Sequence, residues 1–158
     1  MARRRIFLSY QHLDQLKAKG FNLMRYNKAL GLEFVTRGLL DPVKSSNPAY
    51  ISSQIKSALK GTSVTVVLLG DKTADSNWVR REIEWSAEKD PPNGLIGIKL
   101  SSDAVVPPGL EGAEILDWRS PDDVREFGNA IERAALGARR MADAQALVGS
   151  TGGASCGR

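Results

Sequence analysis

The run Thr62-Ser63-Val64-Thr65-Val66-Val67-Leu68-Leu69-Gly70, followed after a polar loop by Trp78-Val79-Arg80-Arg81-Glu82, decides how this chain is read. Its first half is a nearly unbroken apolar run rich in β-branched residues, the pattern of a strand buried on both faces. The loop delivers the chain to a helix, on which positions four apart share one face. Trp78 and Glu82 are so spaced and are expected to look outward together, beside a core-facing stripe of Val79, Ile83 and Ala87. Three or four positions from Glu82 stand only Trp78, Val79, Trp85 and Ser86, none of them basic. Glu84 has both Arg80 and Arg81 in reach and reads as an ordinary helix ion pair. Glu82 is left as a carboxylate without a local structural reason.

Outward from this stretch, strands and helices alternate. Ile6-Phe7-Leu8-Ser9-Tyr10 reads as a first strand, residues 13–30 as mostly helical, and Leu32-Glu33-Phe34-Val35-Thr36 as a second strand. A polar loop holding Gly38, Asp41 and Pro42 leads to Asn47-Pro48, a cap followed by a proline at the first helical position. That helix closes at Gly61. Beyond Glu82, Pro91-Pro92-Asn93-Gly94 turns the chain into a fourth strand, Leu95–Leu100, and Glu114–Trp118 makes a short fifth. Ser120-Pro121-Asp122-Asp123 opens the last helix, whose apolar face is Val124, Phe127, Ile131 and Ala134/Ala135. From about Met141 the Ala/Gly/Ser-rich composition is that of a disordered tail, so the expected domain is 1–140 and the tail 141–158.

Composition bounds the function. At 158 residues, 42% apolar and 25% charged, the chain is long enough for one globular core. No apolar run reaches the roughly 20 residues of a membrane span. The basic start is followed by too short an apolar segment for a signal peptide, which gives a cytoplasmic expectation. The single cysteine, Cys156, excludes an internal disulfide and a cysteine-based zinc site. The net charge of +4 comes from Arg3–Arg5 and from Arg139, Arg140 and Arg158 less Asp143, leaving residues 6–136 close to −1. A nucleic-acid footprint is a basic face of the folded body; none is expected here, nor any membrane partner.

Strands alternating with helices imply an α/β fold: a five-stranded parallel sheet in a flavodoxin-like, three-layer arrangement with order 2-1-3-4-5. In such sheets ligands bind beyond the carboxyl ends of the strands, where the order reverses. That rule sets Ser9, Tyr10 and Gln11 opposite Gly70, Asp71 and the Trp78–Glu82 helix.

The opening strand Ile6–Tyr10 resembles that of TIR domains, and Trp78-x-x-x-Glu82 looks like their Trp-x-x-x-Glu helix motif. Together with Thr62–Gly70 and Leu95–Ile98, the stretch is similar to a bacterial subgroup of TIR-like proteins, that of the ThsB component of the Thoeris anti-phage system, over roughly residues 4–120. The resemblance implies a signalling enzyme, an NAD+ glycohydrolase and ADP-ribosyl cyclase that forms a cyclic ADP-ribose-type messenger. It also implies a separate effector, typically a sirtuin-like NADase, a phage-derived trigger, and a homo-oligomeric active state. On this resemblance Glu82 is the catalytic residue, Ser9, Tyr10, Trp78, Gly70 and Asp41 lie on the substrate side, and the 37–47 loop helps to close the site. NAD+ is the substrate; no cofactor or metal is required.

The residue types suit that chemistry. Nicotinamide leaves NAD+ as a neutral molecule, so the barrier lies in an oxocarbenium-like ribose that one carboxylate can stabilise. Blander readings stand beside it. Glu82 as a solvated helix residue, Trp78 as a cap on the core, and His12 as a solvated histidine are each structurally ordinary. The Gly70 turn lacks the Gly-Lys-Ser/Thr of a P-loop. Two rival functions share the fold: a non-enzymatic TIR-like interaction module, and a phosphoacceptor receiver. The receiver is disfavoured by Ser9-Tyr10-Gln11-His12 standing where its acidic metal-binding pair belongs.

Overall fold

The computed structural model describes residues 4–11, 32–36 and 47–156. Strands β1 (Arg4–Ser9) and β2 (Leu32–Thr36) are followed by helix α1 (Pro48–Lys60), β3 (Val64–Leu69), a 3-10 turn at Thr73–Asp75, α2 (Asn77–Glu88), β4 (Gly94–Lys99), β5 (Glu114–Asp117) and α3 (Pro121–Cys156). The strands form one parallel sheet in the order β2-β1-β3-β4-β5. β1 lies between β2 and β3, with Phe7 opposite Val35 on one side and Thr65 on the other. The order therefore reverses at β1/β3, and their carboxyl ends, Ser9 and Leu69–Gly70, flank the crevice.

Side-chain alternation divides the strands between two layers of helix. Ile6 and Leu8 of β1 and Tyr10 just after it, with Val64, Val66 and Leu68 of β3, pack with Phe127, Ala130, Ile131 and Ala135 of α3. The odd positions face the other way: Val67 and Leu69 meet Val79 and Ile83 of α2, and Phe7 meets Ile55 and Leu59 of α1. All six residues of β3 are buried, as its apolar run requires.

Helix starts follow their caps. Asn47 Oδ1 accepts from the Ala49 N–H at 2.9 Å, with Pro48 at the first turn. Ser76 Oγ accepts from the Val79 N–H at 3.3 Å. Asp123 Oδ2 accepts from the Asp117 N–H at 2.7 Å, tying the end of β5 to the first turn of α3. α3 crosses β4 at Gly94, where a Cβ would stand 2.3 Å from the Ala134 carbonyl oxygen.

Several expectations change. α3 continues past position 140 to Cys156, across the stretch whose composition marked it as a disordered tail; alanine, frequent there, is the strongest helix former. Ala87 is exposed and Val124 is 37% exposed, so the core stripes of α2 and α3 are narrower than the apolar pattern implies. The expected helix over 13–30, the loop over 37–46, His12 and Asp41 lie outside the described residues. Among the described residues no helix is long and apolar enough to cross a membrane.

Candidate active site

Glu82 does not look outward. It is fully buried on the sheet-facing side of α2, and Ser9 Oγ donates a 2.6 Å hydrogen bond to its Oε1. Parity explains the meeting. Ser9 sits two residues after Phe7, on the face that α2 covers, at the last position of β1. On α2, Glu82 lies next to Ile83 and three residues after Val79, both of them core residues. The carboxyl group thus belongs to the buried side of the helix and sits at the carboxyl end of β1.

The same parity separates Ser9 from Tyr10. Tyr10 is 8% exposed and packs on the opposite face, among Ile6, Leu8 and residues of α3. The sheet itself stands between it and Glu82. Trp78 is half-buried against the Phe7–Ile55–Leu59 cluster, with the Arg81 guanidinium 5.3 Å from its ring centroid. It caps the core and carries a cation–π contact; its ring is not aligned with Glu82 on a common outer face. Arg80, expected with Arg81 to pair with Glu84, instead donates through Nε and Nη2 to the Ala74 carbonyl at 3.2 and 3.0 Å.

Gly70 is buried at the end of β3. Its N–H donates to Thr73 Oγ1 at 2.8 Å, and the same hydroxyl donates to the Leu68 carbonyl at 3.0 Å, which folds the loop back on the strand. Asp71 follows, exposed, and accepts from Ser101 Oγ at 2.6 Å. The structure therefore brings Ser9 and Glu82 together at the reversal point, leaves Gly70 at the end of the neighbouring β3, buries Tyr10 on the opposite face and packs Trp78 against the core. Asp41 falls outside the described residues.

The residues that sequence reasoning missed lie under α2. Ser86, Thr65, Asn93 and Thr62 are all buried and hydrogen-bonded to one another, ending on the Glu82 main-chain carbonyl. One signal was available: Thr65 is the single polar side chain inside the Val64–Leu69 run.

The family model for the TIR-like domain of the Thoeris protein ThsB matches residues 7–104. The chain belongs to the ThsB TIR-like family. A Bacillus cereus (strain MSX-D12) protein, provisionally named cyclic ADP-D-ribose synthase ThsB1, is 31% identical over 104 residues, 63% of this chain and 53% of that protein. The chain thus spans about half the length of this relative. Among solved structures, a prokaryotic SEFIR domain aligns with TM-score 0.56 and 16% identity over 81% of this chain and 92% of its own. The SEFIR domain of interleukin-17 receptor B aligns with TM-score 0.55 and 10% identity over 84% and 96%. At these identities the structural matches establish a shared α/β fold with a parallel sheet.

Proposed function

We propose that this ThsB-family chain is an NAD+-consuming signalling enzyme of anti-phage defence. It cleaves the nicotinamide–ribose bond and makes a cyclic ADP-ribose-type messenger. The observation that carries the reading is the buried Glu82 carboxyl group held by Ser9 at the end of β1, in a family with a relative named for cyclic ADP-D-ribose synthesis.

In the proposed reaction the bond between ribose C1′ and the nicotinamide nitrogen breaks, and its electron pair leaves with nicotinamide, which departs neutral. Positive charge develops on C1′ and the ring oxygen, where an ionised Glu82 stabilises it. Ser9 Oγ holds Oε1 of that carboxyl group at the carboxyl end of β1. Attack on C1′ by an atom of the same molecule closes the cyclic product; attack by water gives linear ADP-ribose. A carboxyl group with no solvent exposure suits the first outcome, because water must be kept out. It also means that the crevice opens before NAD+ reaches Glu82. Assembly of several copies, in response to a phage-derived trigger, is the proposed opening step. The messenger then acts on a separate effector, a sirtuin-like NADase, inside the cytoplasm.

A second reading is favoured by that same burial. In an interaction module with no catalysis, Glu82 is an internal fastener between α2 and β1. Mass spectrometry of NAD+ incubated with wild type and Glu82→Gln separates the two. The enzyme predicts nicotinamide release with an ADP-ribose-type product, reduced on the order of 10²–10³-fold in the variant, with the unfolding midpoint little changed. Intact NAD+ in both samples, at high protein concentration and in lysate of phage-infected cells, would leave the interaction module as the account.

A further inference from the structure

The hydroxyl groups beneath α2 form a chain that runs in one direction. Ser86 Oγ donates to the Glu82 main-chain carbonyl at 2.6 Å. A hydroxyl has one proton, so in its 2.6 Å contact with Thr65 Oγ1 Ser86 accepts and Thr65 donates. Thr65 in turn accepts from Asn93 Nδ2 at 3.0 Å. The other N–H of that amide goes to Thr62 Oγ1 at 2.9 Å, whose own proton is committed to the Leu59 carbonyl at 2.8 Å. That commitment fixes the amide orientation, because Thr62 can only accept there. The order is therefore Asn93 to Thr65 to Ser86 to the Glu82 carbonyl.

Every member is buried: Thr65 and Ser86 are fully enclosed, and Asn93 is 4% exposed. Asn93 Oδ1 is left with no hydrogen-bond partner among the described residues. A buried acceptor in that state is destabilising, and apolar groups of the same shape would avoid it. Stability alone is a poor reason for this arrangement. What the chain reaches is the residue whose carboxyl group Ser9 holds at the end of β1. Glu82 is gripped twice, at its carboxyl by Ser9 and at its carbonyl by Ser86. Through Asn93, whose N–H also donates to the Ser86 carbonyl at 2.9 Å, the turn before β4 is fastened to the same helical turn.

We infer that Ser86, Thr65 and Asn93 are positioning residues that set where the Glu82 carboxyl stands relative to the end of β1. The catalytic consequence rests on the NAD+ reading above; the mechanical one does not. In both Thr65→Val, which keeps the shape and loses the hydroxyl, and Ser86→Ala, kcat for NAD+ cleavage falls about tenfold while KM stays within about twofold, since a slightly misplaced group loses rate before binding. Thr65→Ser restores the donor and returns kcat to near the wild-type value. Carbon-13 NMR titration of the Glu82 carboxyl, on protein whose fold is verified by circular dichroism, is the second readout. Its midpoint moves in Ser86→Ala and stays in Thr65→Ser. Wild-type kcat and an unmoved Glu82 titration in folded Ser86→Ala would overturn the inference. Should wild-type protein leave NAD+ intact, the functional reading falls, and the titration alone decides: a moved midpoint supports positioning and an unmoved one refutes it.

Discussion

Ser9 contributes one hydroxyl, and through it the Glu82 carboxyl group is tied to β1. Its Oγ is enclosed, 1% of the residue being exposed, and its 2.6 Å bond ends on a carboxyl that is itself fully buried. Removing a buried donor leaves its acceptor desolvated and unmatched, at a cost of about 1–3 kcal/mol. Ser9→Ala should therefore lower unfolding stability by about that amount in urea titrations, and should lower NAD+ turnover by about tenfold. In the Glu82→Gln background the same substitution should cost little further activity, because a residue acting through Glu82 has nothing left to act on. Equal losses in both backgrounds would show that Ser9 does not work through Glu82. The pair was half visible in the sequence. The sequence singles out Ser9 and Glu82 but turns Glu82 outward, because Trp78 at i−4 suggests a shared outer surface. In fact Trp78 leans on Phe7 and Ile55, while Glu82 turns to the sheet.

Elements were easier to read than faces. The β3 bounds, the Asn47-Pro48 helix start and the Ser120-Pro121 opening of α3 follow from apolar continuity and capping chemistry, which act within a few residues. Whether Tyr10 sits with Ser9 is a different question. It depends on parity about a sheet whose two sides are both buried, and an apolar strand such as Ile6–Leu8 carries no polar alternation to mark them. The Thr65–Ser86–Asn93 network was invisible for a related reason: its members are 28 residues apart at the extremes and meet only once β3, α2 and the turn before β4 are packed. Packing also gives Gly94 a role that its turn-like sequence context concealed. Its missing Cβ is what lets α3 lie across β4, since an added carbon would meet the Ala134 backbone oxygen at 2.3 Å and the carbonyl carbon at 2.4 Å. Backbone cannot rotate away as a side-chain tip does. Gly94→Ala should cost about 3 kcal/mol or more of stability, measured by chemical unfolding, with the loss concentrated in the α3–sheet contact. Gly97→Ala is the internal control, since its nearest neighbours are the ends of Ile115 and Leu69 side chains at 2.5 and 3.0 Å. A Gly94→Ala protein as stable as wild type would mean that α3 does not bear on β4 there.

For the molecule as a whole, charge pairs bind the outer layers to the sheet, and they set how it meets acid. Asp117, at the end of β5, accepts from the Arg119 guanidinium at 3.0 and 2.7 Å and from the Arg119 N–H at 2.9 Å, and these bonds hold its carboxyl down from the ordinary 3.8 to about 2. Arg4 Nε and Nη2 grip Glu132 at 2.9 and 3.1 Å, joining β1 to α3, and this bonding also lowers the Glu132 carboxyl below its usual range. Both groups are substantially exposed, so solvent screens each pair and its contribution is small. The sign is nevertheless fixed. A carboxyl that is more acidic in the folded chain than in the unfolded one favours folding above its ordinary pKa, because in acid the unfolded state takes up protons first. That contribution is complete at neutral pH and is lost as the pH falls, for Asp117 between about 4 and about 2. The thermal midpoint should accordingly hold level from pH 7 to 5 and drop below about 4. In Asp117→Asn the drop should be shallower, the variant lying below wild type at pH 6 and converging on it near pH 2. Because surface pairs are screened, added salt should narrow the gap at pH 6. Differential scanning calorimetry of both proteins across that range provides the check, and a constant offset between them at every pH would show that the Asp117–Arg119 bonding does not survive in solution.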